Sequence, residues 1–303
     1  MSETVLITGG TGVIGRRLTQ LLLQQGFQVS YLSRSSKPVP NVRVFPWDVH
    51  RGTIDPSAVT TADYIIHLAG AGIADGRWTD ERKQEIIDSR TQSTLLLART
   101  MLETGHRPKS FVSSSAIGFY GGDTGDRILT ESSPAGTDFM GLVTQAWEES
   151  VEAVSALGIR TVKLRTGVVL TMDGGALPKL VQPVRLGAGA PLGSGKQYVS
   201  WIHADDLCRM YIQAMTDPSW TGVYNAVAAK PVTNAELTRQ IAKVLDKPLF
   251  LPNVPAFSLR LLFGEMAVVV LGSSRVLNQR IQQQTGFVYS FQTLKSALQA
   301  ALT

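Results

Sequence analysis

Short apolar runs alternate along the chain with longer segments in which apolar residues recur every three or four positions. The runs lie at residues 5–8, 28–32, 42–45, 64–68, 110–113, 161–164 and 222–226. Runs of this length are typical of buried strands, and the helical spacing between them places helices after the strands. The alternation predicts an α/β fold, a Rossmann doubly wound parallel sheet.

Three longer segments have the period of amphipathic helices. The first runs from Thr79 to Thr104, and either Thr79 or Asp80 can cap its start. The second runs from Asp138 to Leu157 and the third from Asn234 to Leu245. We therefore expect these helices to cover the sheet.

The rhythm of strands and helices changes after Leu164. Residues 167–195 are rich in Gly and contain Pro, a composition typical of a loop over a pocket or at a domain joint. We expect residues 167–200 to form a pocket loop on the substrate side. The chain then divides into an NADP-binding Rossmann domain over 1–247 and a small α+β C-terminal lobe over 248–303, where Pro and Gly interrupt short elements.

Composition favours an ordered cytoplasmic protein. With 303 residues and 44% hydrophobic content, the chain can bury a large core. Its one cysteine, Cys208, can form no disulfide within the chain, and no basic-then-apolar leader is visible. The apolar segment 257–271 is interrupted by charged residues and is too short to span a bilayer. We therefore expect a cytoplasmic location and no membrane partner.

The charged and metal-ligating residues point to few partners. The net charge of +5 comes from dispersed Lys and Arg, which argues against a nucleic-acid partner. The four histidines show no paired ligand spacing, so we expect no metal. A small-molecule substrate and a monomer or homodimer remain as expectations.

The most informative motif is the glycine-rich stretch Thr8 to Gly15, directly after the first strand and before a helical pattern. Glycines there permit a tight turn, let backbone N–H groups approach a pyrophosphate, and let the helix pack on the strand. A purely structural turn is the alternative, but the strand and helix on either side favour a dinucleotide site. We assign to it Gly9, Thr11, Gly12, Val13, Ile14 and Gly15.

The end of the second strand indicates which dinucleotide binds. An NAD site usually carries Asp or Glu there, whereas this strand ends in Ser33 and Arg34, and no acidic residue occurs between Glu3 and Asp48. Charge-assisted hydrogen bonds of about 1.5–3 kcal/mol to a 2′-phosphate favour NADP(H). The alternative is that Arg34 is simply an exposed surface residue.

The fourth strand of the alternating pattern ends in His67-Leu68-Ala69-Gly70, at the edge of the sheet where ligands bind. We expect the backbone of this segment to line the cofactor site, with the His67 side chain packed in the core. Arg90, on the following helix, is a further candidate for the cofactor pocket. A salt bridge on the helix surface is the equal alternative for Arg90.

Several strings together resemble the extended short-chain dehydrogenase/reductases. They are Thr8 to Gly15, His67 to Ala69, Ser113 to Ser115, Tyr120-Gly121, Leu164-Arg165 and the segment Trp201 to Leu207. More narrowly, Arg77-Trp78-Thr79, Asp88-Ser89-Arg90, Gly174 to Lys179, Pro191 to Gly195 and tail strings such as Gly264-Glu265-Met266 resemble the YfcH-like epimerase-family proteins. The resemblance implies a Rossmann fold, a family-specific C-terminal domain of unassigned role, and a place for Ser113 in the cofactor site.

The chain departs from the catalytic pattern of that superfamily, in which a Tyr is followed four residues later by a Lys. No Tyr-x-x-x-Lys occurs, and the aligned positions hold Met140 and Thr144. A thioether has no proton to give, and a neutral hydroxyl cannot lower the pKa of a phenol. Ser115 and Tyr120 are the remaining catalytic candidates. Without a cationic neighbour, Tyr120 would keep a pKa near ~10, and a role in the pocket wall is favoured for it.

Two further segments bear on the ligand. Val199 stands where nucleotide-sugar enzymes of this fold carry an Arg that holds a diphosphate, which makes a nucleotide-sugar substrate less expected. His203-x-Asp205-Asp206 lies at a helix start, where capping by Asp205 is favoured over a metal site. Trp78, Trp147 and Trp201 are candidates for an aromatic pocket, with a core role favoured for Trp147.

Two functions remain open. The first is an NADP(H)-dependent oxidoreductase or epimerase-like enzyme acting on a small carbonyl or hydroxyl compound, with Ser115 and Tyr120 orienting the substrate. The second is a non-catalytic NADP(H)-binding sensor or regulator, a role that explains the missing Tyr and Lys. The resemblance to proteins linked to cell division favours this second function.

Overall fold

The computed structural model describes residues 2–302. The strands are β1 (Thr4–Thr8), β2 (Gln28–Ser33), β3 (Val42–Asp48), β4 (Thr53–Ile54), β5 (Tyr64–His67), β6 (Ser110–Ala116), β7 (Ile128–Leu129), β8 (Thr161–Thr166), β9 (Val168–Leu170), β10 (Tyr198–Val199), β11 (Trp201–His203), β12 (Gly222–Ala226), β13 (Val232–Thr233) and β14 (Arg275–Val276).

The helices are α1 (Val13–Gln24), α2 (Pro56–Thr60), α3 (Asp80–Thr104), α4 (Phe139–Ser155), α5 (Ala176–Arg185), α6 (Ala204–Thr216), α7 (Asn234–Val244), α8 (Ala256–Phe263), α9 (Val268–Leu271), α10 (Gln279–Gln284) and α11 (Leu294–Leu302). Short 3₁₀ turns cover Ile117–Tyr120 and Gly264–Ala267. Over residues 2–302, none of these helices is both long and apolar enough to cross a membrane.

The central sheet has eight strands in the order β12-β8-β6-β5-β1-β2-β3-β4. All neighbours are parallel except β3 and β4, which pair antiparallel at the edge. The chain adds strands outward from β1 in one direction and from β5 in the other. The strand order therefore reverses between β1 and β5, which is where ligands bind in sheets of this kind. The predicted doubly wound parallel sheet is confirmed.

Helices cover both faces of the sheet because successive strand side chains point to opposite sides. In β1, Val5 and Ile7 pack in a core cluster with α1 and α6, which contribute Leu18 and Met210 among others. Leu6 points the other way, into a second cluster built with α2, α3 and α4. The two clusters hold the helices on the sheet, and the parallel strands bring their carboxyl ends to one edge.

The three predicted long helices are confirmed, and side-chain caps explain where they start. The Thr79 hydroxyl accepts from the Arg82 N–H before α3, and the Asp138 carboxylate accepts from the Gly141 N–H before α4. Helix α3 ends at Gly105, whose φ of +69° is in the left-handed region that favours glycine. Each cap satisfies an N–H group that the helix itself cannot pair.

The expectation of a continuous pocket loop over residues 167–200 is wrong. The stretch contains β9, which pairs parallel with β11, and helix α5, which buries Leu177, Val181 and Val184 in a third core cluster. The glycines of this stretch mark the turns between these elements. Gly174 has φ of +151°, and a Cβ there would lie 2.8 Å from Val13 Cγ2, so this turn packs against the start of α1.

The C-terminal segment is mostly helical, whereas a mixed α+β lobe was expected. Its one strand within the described residues, β14, pairs with β7 from the first half of the chain. Ile281 and Phe287 join the core cluster of α1 and α6, and Leu298 joins the cluster of α5 and α7. The side chains of residues 248–302 therefore pack into cores shared with the preceding chain. A domain boundary after residue 247 stays a prediction.

Candidate dinucleotide-binding site

The glycine-rich loop between β1 and α1 is closed by its own backbone. The Gly12 N–H donates to Gly9 O at 2.9 Å, and Gly9 has φ of +70°. A Cβ on Gly15 would lie 2.5 Å from Gly9 O, and one on Gly10 would lie 2.3 Å from the Tyr31 ring. Positions 10 and 15 therefore accept only glycine without rearrangement.

The loop opens onto a groove of about 1020 Å³ at the carboxyl ends of β1, β2 and β5. The groove is lined by residues 9–12, 31–35 and 68–72, with Gln92 and Ser93 from α3 among others. A second cavity of about 210 Å³ shares Gly9, Gly12 and Leu68 with the groove and reaches Val13 to Gly15, Ser114 and Tyr211. The two cavities meet at the glycine loop, where the strand order reverses.

The start of α1 is open to an anion. Gly12 caps the helix without a side-chain acceptor, and the first turn contains no acidic residue. The unpaired N–H groups and the positive end of the helix dipole therefore face the loop. Together with the closely packed glycines, this arrangement fits the pyrophosphate of a dinucleotide. The predicted residues Gly9, Thr11, Gly12, Val13, Ile14 and Gly15 all line one cavity or both.

Ser33 and Arg34 lie at the end of the groove that β2 reaches. The Ser33 hydroxyl accepts from the Ser35 N–H at 3.1 Å. Arg34 is exposed, and within residues 2–302 its guanidinium has no hydrogen-bond or ion-pair partner. Because Arg34 lines the groove and its donors are unused, it is available to bind a phosphate there. Its position favours this role over that of a simple surface residue.

The His67 side chain is fully buried under the loop. Its Nδ1 lies 2.7 Å from Thr8 Oγ1, and its Nε2 lies 3.2 Å from Ser93 Oγ and 3.1 Å from Thr94 Oγ1. Burial lowers the His67 pKa to about 3, so the imidazole is neutral at physiological pH. This is the packed histidine that the sequence favoured.

The hydrogen bonds around His67 determine which of its nitrogens carries the proton. Ser93 and Thr94 both donate their hydroxyl protons to backbone carbonyls of α3, which leaves their oxygens to accept from Nε2–H. Thr8 Oγ1 accepts from the N–H groups of Leu68 and Ala69, each at 3.2 Å, and so donates to Nδ1. His67 thereby holds Thr8, and Thr8 holds the backbone of residues 68–69 at the groove.

Ser113 does not face either cavity. It is fully buried in β6, and its hydroxyl donates to Ser114 O at 2.9 Å. Ser114 lines the smaller cavity instead, and its Oγ accepts from Tyr211 OH at 2.9 Å. Because side chains alternate along a strand, Ser114 and not Ser113 faces this cavity, and a role of Ser113 in the cofactor site stays a prediction.

The two catalytic candidates belong to one buried network. Ser115 Oγ donates to Glu148 Oε1 at 2.6 Å, and Arg165 donates to both oxygens of the same carboxylate. Arg165 Nη1 also donates to Tyr120 OH at 3.0 Å, and Tyr120 OH donates to Asn225 Oδ1 at 2.7 Å. All five side chains are buried, and none lines either of the two cavities.

Tyr120 does have a cationic neighbour, contrary to the sequence-based expectation. The Arg165 guanidinium donates to its hydroxyl and stacks on the adjacent Phe119 ring, with Cζ 3.3 Å from the ring centroid. Burial nevertheless dominates and raises the Tyr120 pKa above its usual value. Tyr120 therefore stays a neutral phenol at physiological pH and is no base.

Met140 and Thr144, which the sequence aligns with the missing catalytic pair, both lie on helix α4. Met140 and Thr144 both face the 3₁₀ turn at Ile117–Tyr120, since a Cβ on Gly118 would lie 3.0 Å from Met140 Cε and 3.4 Å from Thr144 Oγ1. The Thr144 hydroxyl donates to Met140 O at 2.8 Å. Neither side chain supplies a charge or an acidic proton to a substrate.

Arg90 does not form the surface salt bridge that was the alternative to a role in the cofactor pocket. It is partly buried, and its Nη1 donates to Ile86 O at 2.9 Å. Its guanidinium lies over the Trp147 ring, with Cζ 5.0 Å from the centroid. Burial lowers the Arg90 pKa to about 10, which leaves it charged at physiological pH.

The three tryptophans do not form one aromatic pocket. Trp201 is buried in the core cluster of α5 and α7, and its Nε1 donates to Lys230 O. Trp78 packs edge-on against Phe139 with ring centroids 4.8 Å apart, and Trp147 is buried beneath Arg90.

The His203-x-Asp205-Asp206 segment fastens other parts of the chain together. His203 Nδ1, not Asp205, caps α6 by accepting from the Asp205 N–H, so the predicted cap was wrong by two residues. Asp205 pairs with Arg17 at 2.6 Å, and Asp206 accepts from the N–H groups of Ser290 and Phe291. Within residues 2–302, no group of three or more His, Cys, Asp or Glu side chains could hold a metal ion.

Sequence reasoning missed the residues that hold the site together. Glu148, Arg165 and Asn225 form the centre of the buried network, but Arg165 was noted only as part of the string Leu164-Arg165 and received no role. One signal was available: Arg165 lies within the buried strand β8, and Glu148 lies on the apolar face of α4. A charged residue in such a place requires a partner of opposite charge.

Two family models cover most of the chain. The NAD dependent epimerase/dehydratase family matches residues 5–227, and a domain of unknown function (DUF1731) matches residues 254–301. The first match includes the glycine loop, the groove and the buried network. The second includes nearly all of the C-terminal helical segment.

Relatives extend over nearly the whole chain. The chloroplastic SDR39U1 homolog of Arabidopsis thaliana, an epimerase family protein, is 37% identical over 99% of this chain and 86% of its own length. The epimerase family protein YfhF of Bacillus subtilis is 33% identical over 97% and 96% of the two chains. The crystal structure of human SDR39U1 with NADPH superimposes with a TM-score of 0.86 at 33% identity, covering 98% of each chain. The chain belongs to the NAD dependent epimerase/dehydratase family, with a C-terminal DUF1731 domain.

Proposed function

We propose that the chain binds NADP(H) in the groove at the glycine loop. The observation that carries this proposal is Arg34, an exposed guanidinium without a partner that lines the groove directly after β2. A 2′-phosphate beside Ser33 and Arg34 would receive charge-assisted hydrogen bonds, which are about twice as strong as neutral ones. The human relative crystallised with NADPH, 33% identical, supports the same choice of cofactor.

Each part of the groove has a separate task in this proposal. The N–H groups at the start of α1 bind the pyrophosphate, and the backbone of Leu68, Ala69 and Gly70 lies along the adenosine side. His67 acts through Thr8, which fixes that backbone. Ser114, in the smaller cavity, takes the place that the sequence gave to Ser113.

The reaction we propose is oxidoreduction or an epimerase-like reaction of a small carbonyl or hydroxyl compound, and NADP(H) when bound supplies or accepts the hydride. Ser115 donates its proton to Glu148, so its free lone pairs can orient a substrate hydroxyl. Tyr120 is a positioning residue that holds Arg165 and Asn225. No Tyr-x-x-x-Lys pair takes part.

A second candidate is a non-catalytic NADP(H)-binding protein whose cofactor state controls a partner. The burial of both Ser115 and Tyr120, with each hydroxyl already donating within the protein, favours it. Met140 and Thr144 offer no replacement chemistry. In this second function the protein binds NADP(H) but catalyses no reaction.

Titration of the purified chain with NADPH and NADH tests the cofactor, and loss of NADPH absorbance over a panel of small aldehydes and ketones tests the reaction. We expect NADPH to bind at least about tenfold more tightly than NADH. Turnover that Ser115→Ala reduces, with NADPH affinity unchanged, supports the enzyme. Tight NADPH binding without turnover on any compound of the panel supports the sensor, and equal affinity for both cofactors contradicts the proposal.

A further inference from the structure

Arg90 is a partly buried cation without an anionic partner. Within the described chain, its one hydrogen bond is to the backbone oxygen of Ile86, and no carboxylate pairs with it. By contrast, Arg82, two turns earlier on α3, has anionic partners. It pairs with Glu85 at 2.6 Å and lies 3.9 Å from Asp75. Arg90 keeps most of its donors unused.

A second unpaired donor lies beside Arg90. Trp147, beneath the guanidinium, is buried, and its Nε1–H has no hydrogen-bond partner. Removing an indole N–H from water without an acceptor costs about 1–3 kcal/mol, so such groups are normally paired. A cation and an orphan N–H side by side call for an acceptor that the protein itself does not supply.

Arg90 lies outside the groove assigned to the adenosine side. The groove is lined by Gly70, Ser89 and Gln92 but not by Arg90, which packs toward α4. Gly70 permits this placement because a Cβ there would lie 3.2 Å from Arg90 Cγ and Cζ. Trp147 follows Thr144 by one helical turn, so Arg90 stands near the helix face that carries the positions of the missing Tyr and Lys.

We propose that Arg90 and Trp147 form a subsite for a carboxylate of the substrate. This inference rests on the proposed function, because it names the chemical class of the compound on which NADP(H) would act: a small carbonyl or hydroxyl acid. The planar guanidinium presents paired donors that match the two oxygens of a carboxylate, and it lies over the Trp147 indole with Cζ 5.0 Å from the ring centroid. The other source of an anion near the site is a phosphate of the cofactor, which the test separates.

The test uses the full chain, free and loaded with NADPH. Saturation-transfer NMR measures the affinity for propionate, benzoate and 3-phenylpropionate, each compared with its amide. The variants are Arg90→Gln, Arg90→Lys and Trp147→Phe, and Arg99→Gln is the matched control, an exposed arginine of the same helix. Thermal unfolding reports whether each variant is folded.

We expect the wild-type chain to bind carboxylates at least about tenfold more tightly than amides. Arg90→Gln should abolish that preference with NADPH affinity unchanged, Arg90→Lys and Trp147→Phe should reduce it, and Arg99→Gln should keep it. If Arg90→Gln does not fold, the reduced preference of Arg90→Lys is the deciding result.

Two results would overturn the subsite. One is a wild-type chain that does not prefer carboxylates. The other is an Arg90→Gln variant that loses NADPH affinity and keeps the carboxylate preference, which would assign Arg90 to a cofactor phosphate. Failure of the wild-type chain to bind NADPH would refute the proposed function, whereas a carboxylate preference of the free chain that depends on Arg90 would still support the subsite.

Discussion

Arg165 binds the Glu148 carboxylate with two hydrogen bonds, 2.7 Å from Nε to Oε1 and 2.8 Å from Nη2 to Oε2, in the interior between β8 and α4. Their side chains are 5% and 8% exposed. Both catalytic candidates contact this pair, because Ser115 donates to the carboxylate and Tyr120 accepts from the guanidinium. The pair therefore fixes both catalytic candidates.

Breaking this pair from one side should be strongly destabilising. Glu148→Leu leaves Arg165 charged and unpaired in the interior, and we expect the free energy of unfolding to fall by about 3–5 kcal/mol. Arg165→Met should cost a similar amount. Urea denaturation measures both variants.

The double variant Glu148→Leu with Arg165→Met distinguishes the pair from simple loss of packing. Since it leaves no uncompensated charge, it should cost clearly less than the sum of the single variants. Arg99→Met, which breaks an exposed pair with Glu103, should change stability by less than about 1 kcal/mol. Additive costs would contradict the coupling.

Gly15→Ala should damage the glycine loop by steric overlap. The new Cβ would lie 2.5 Å from Gly9 O and 2.6 Å from Gly10 Cα, and both are backbone atoms that cannot turn aside. We expect a loss of about 1–3 kcal/mol in stability and weakened NADPH binding. Gly76→Ala is the control, since a Cβ there meets nothing within 4 Å. Equal NADPH affinity in the two variants would contradict the role of Gly15.

The glycine loop was predictable from sequence because its function constrains neighbouring residues in a fixed order. The strand before it, the helix after it and the glycine spacing are all local, and so are the caps Thr79 and Asp138. The parallel doubly wound sheet was also predictable, because it follows from alternating strands and helices.

The buried network was not predictable in this way. Ser115, Glu148 and Arg165 come from β6, α4 and β8, and their contact depends on how these elements pack. Neither the cation beside Tyr120 nor the cap by His203 follows from local spacing. The tail was also misjudged, because its short apolar segments pack into cores formed by distant parts of the chain.

Arg34→Asp should reverse the cofactor preference. A carboxylate at this position would repel a 2′-phosphate and accept hydrogen bonds from the ribose hydroxyls of NAD(H). We expect the ratio of NADPH to NADH affinity to fall at least about tenfold. Arg239→Asp, an exposed residue on α7, makes the same change in net charge and should leave the ratio unaltered. Fluorescence titration with both cofactors measures the ratio, and an unchanged value for Arg34→Asp would remove the residue from the site.

Asp206→Ala should release the segment that precedes α11. The Asp206 side chain is buried, and its two oxygens accept from the N–H groups of Ser290 and Phe291. Each N–H left without an acceptor costs about 1–3 kcal/mol. Hydrogen exchange should therefore accelerate at residues 290 and 291. Asp205→Ala, which breaks the half-buried pair with Arg17, should not accelerate it there.

His67 should make the protein less stable in mild acid. Its pKa in the folded chain is about 3, below the value of about 6.5 for an unfolded histidine, because burial disfavours the charged ring. As the pH falls below about 6.5, His67 takes up a proton in the unfolded chain but stays neutral in the folded chain. The stabilising contribution is therefore complete above that pH and declines from there toward pH 3.

The slope of stability against pH isolates this group. One such proton lowers the free energy of unfolding by about 1.4 kcal/mol per pH unit. His67→Gln removes the titration, so its slope between about pH 6 and 5 should be shallower than the wild-type slope by nearly that amount, although the variant is less stable at neutral pH. Burial also lowers the pKa of His203, which contributes to both slopes alike. Urea unfolding at a series of pH values gives the slopes, and parallel curves for the wild type and His67→Gln would mean that the imidazole is already protonated inside the fold.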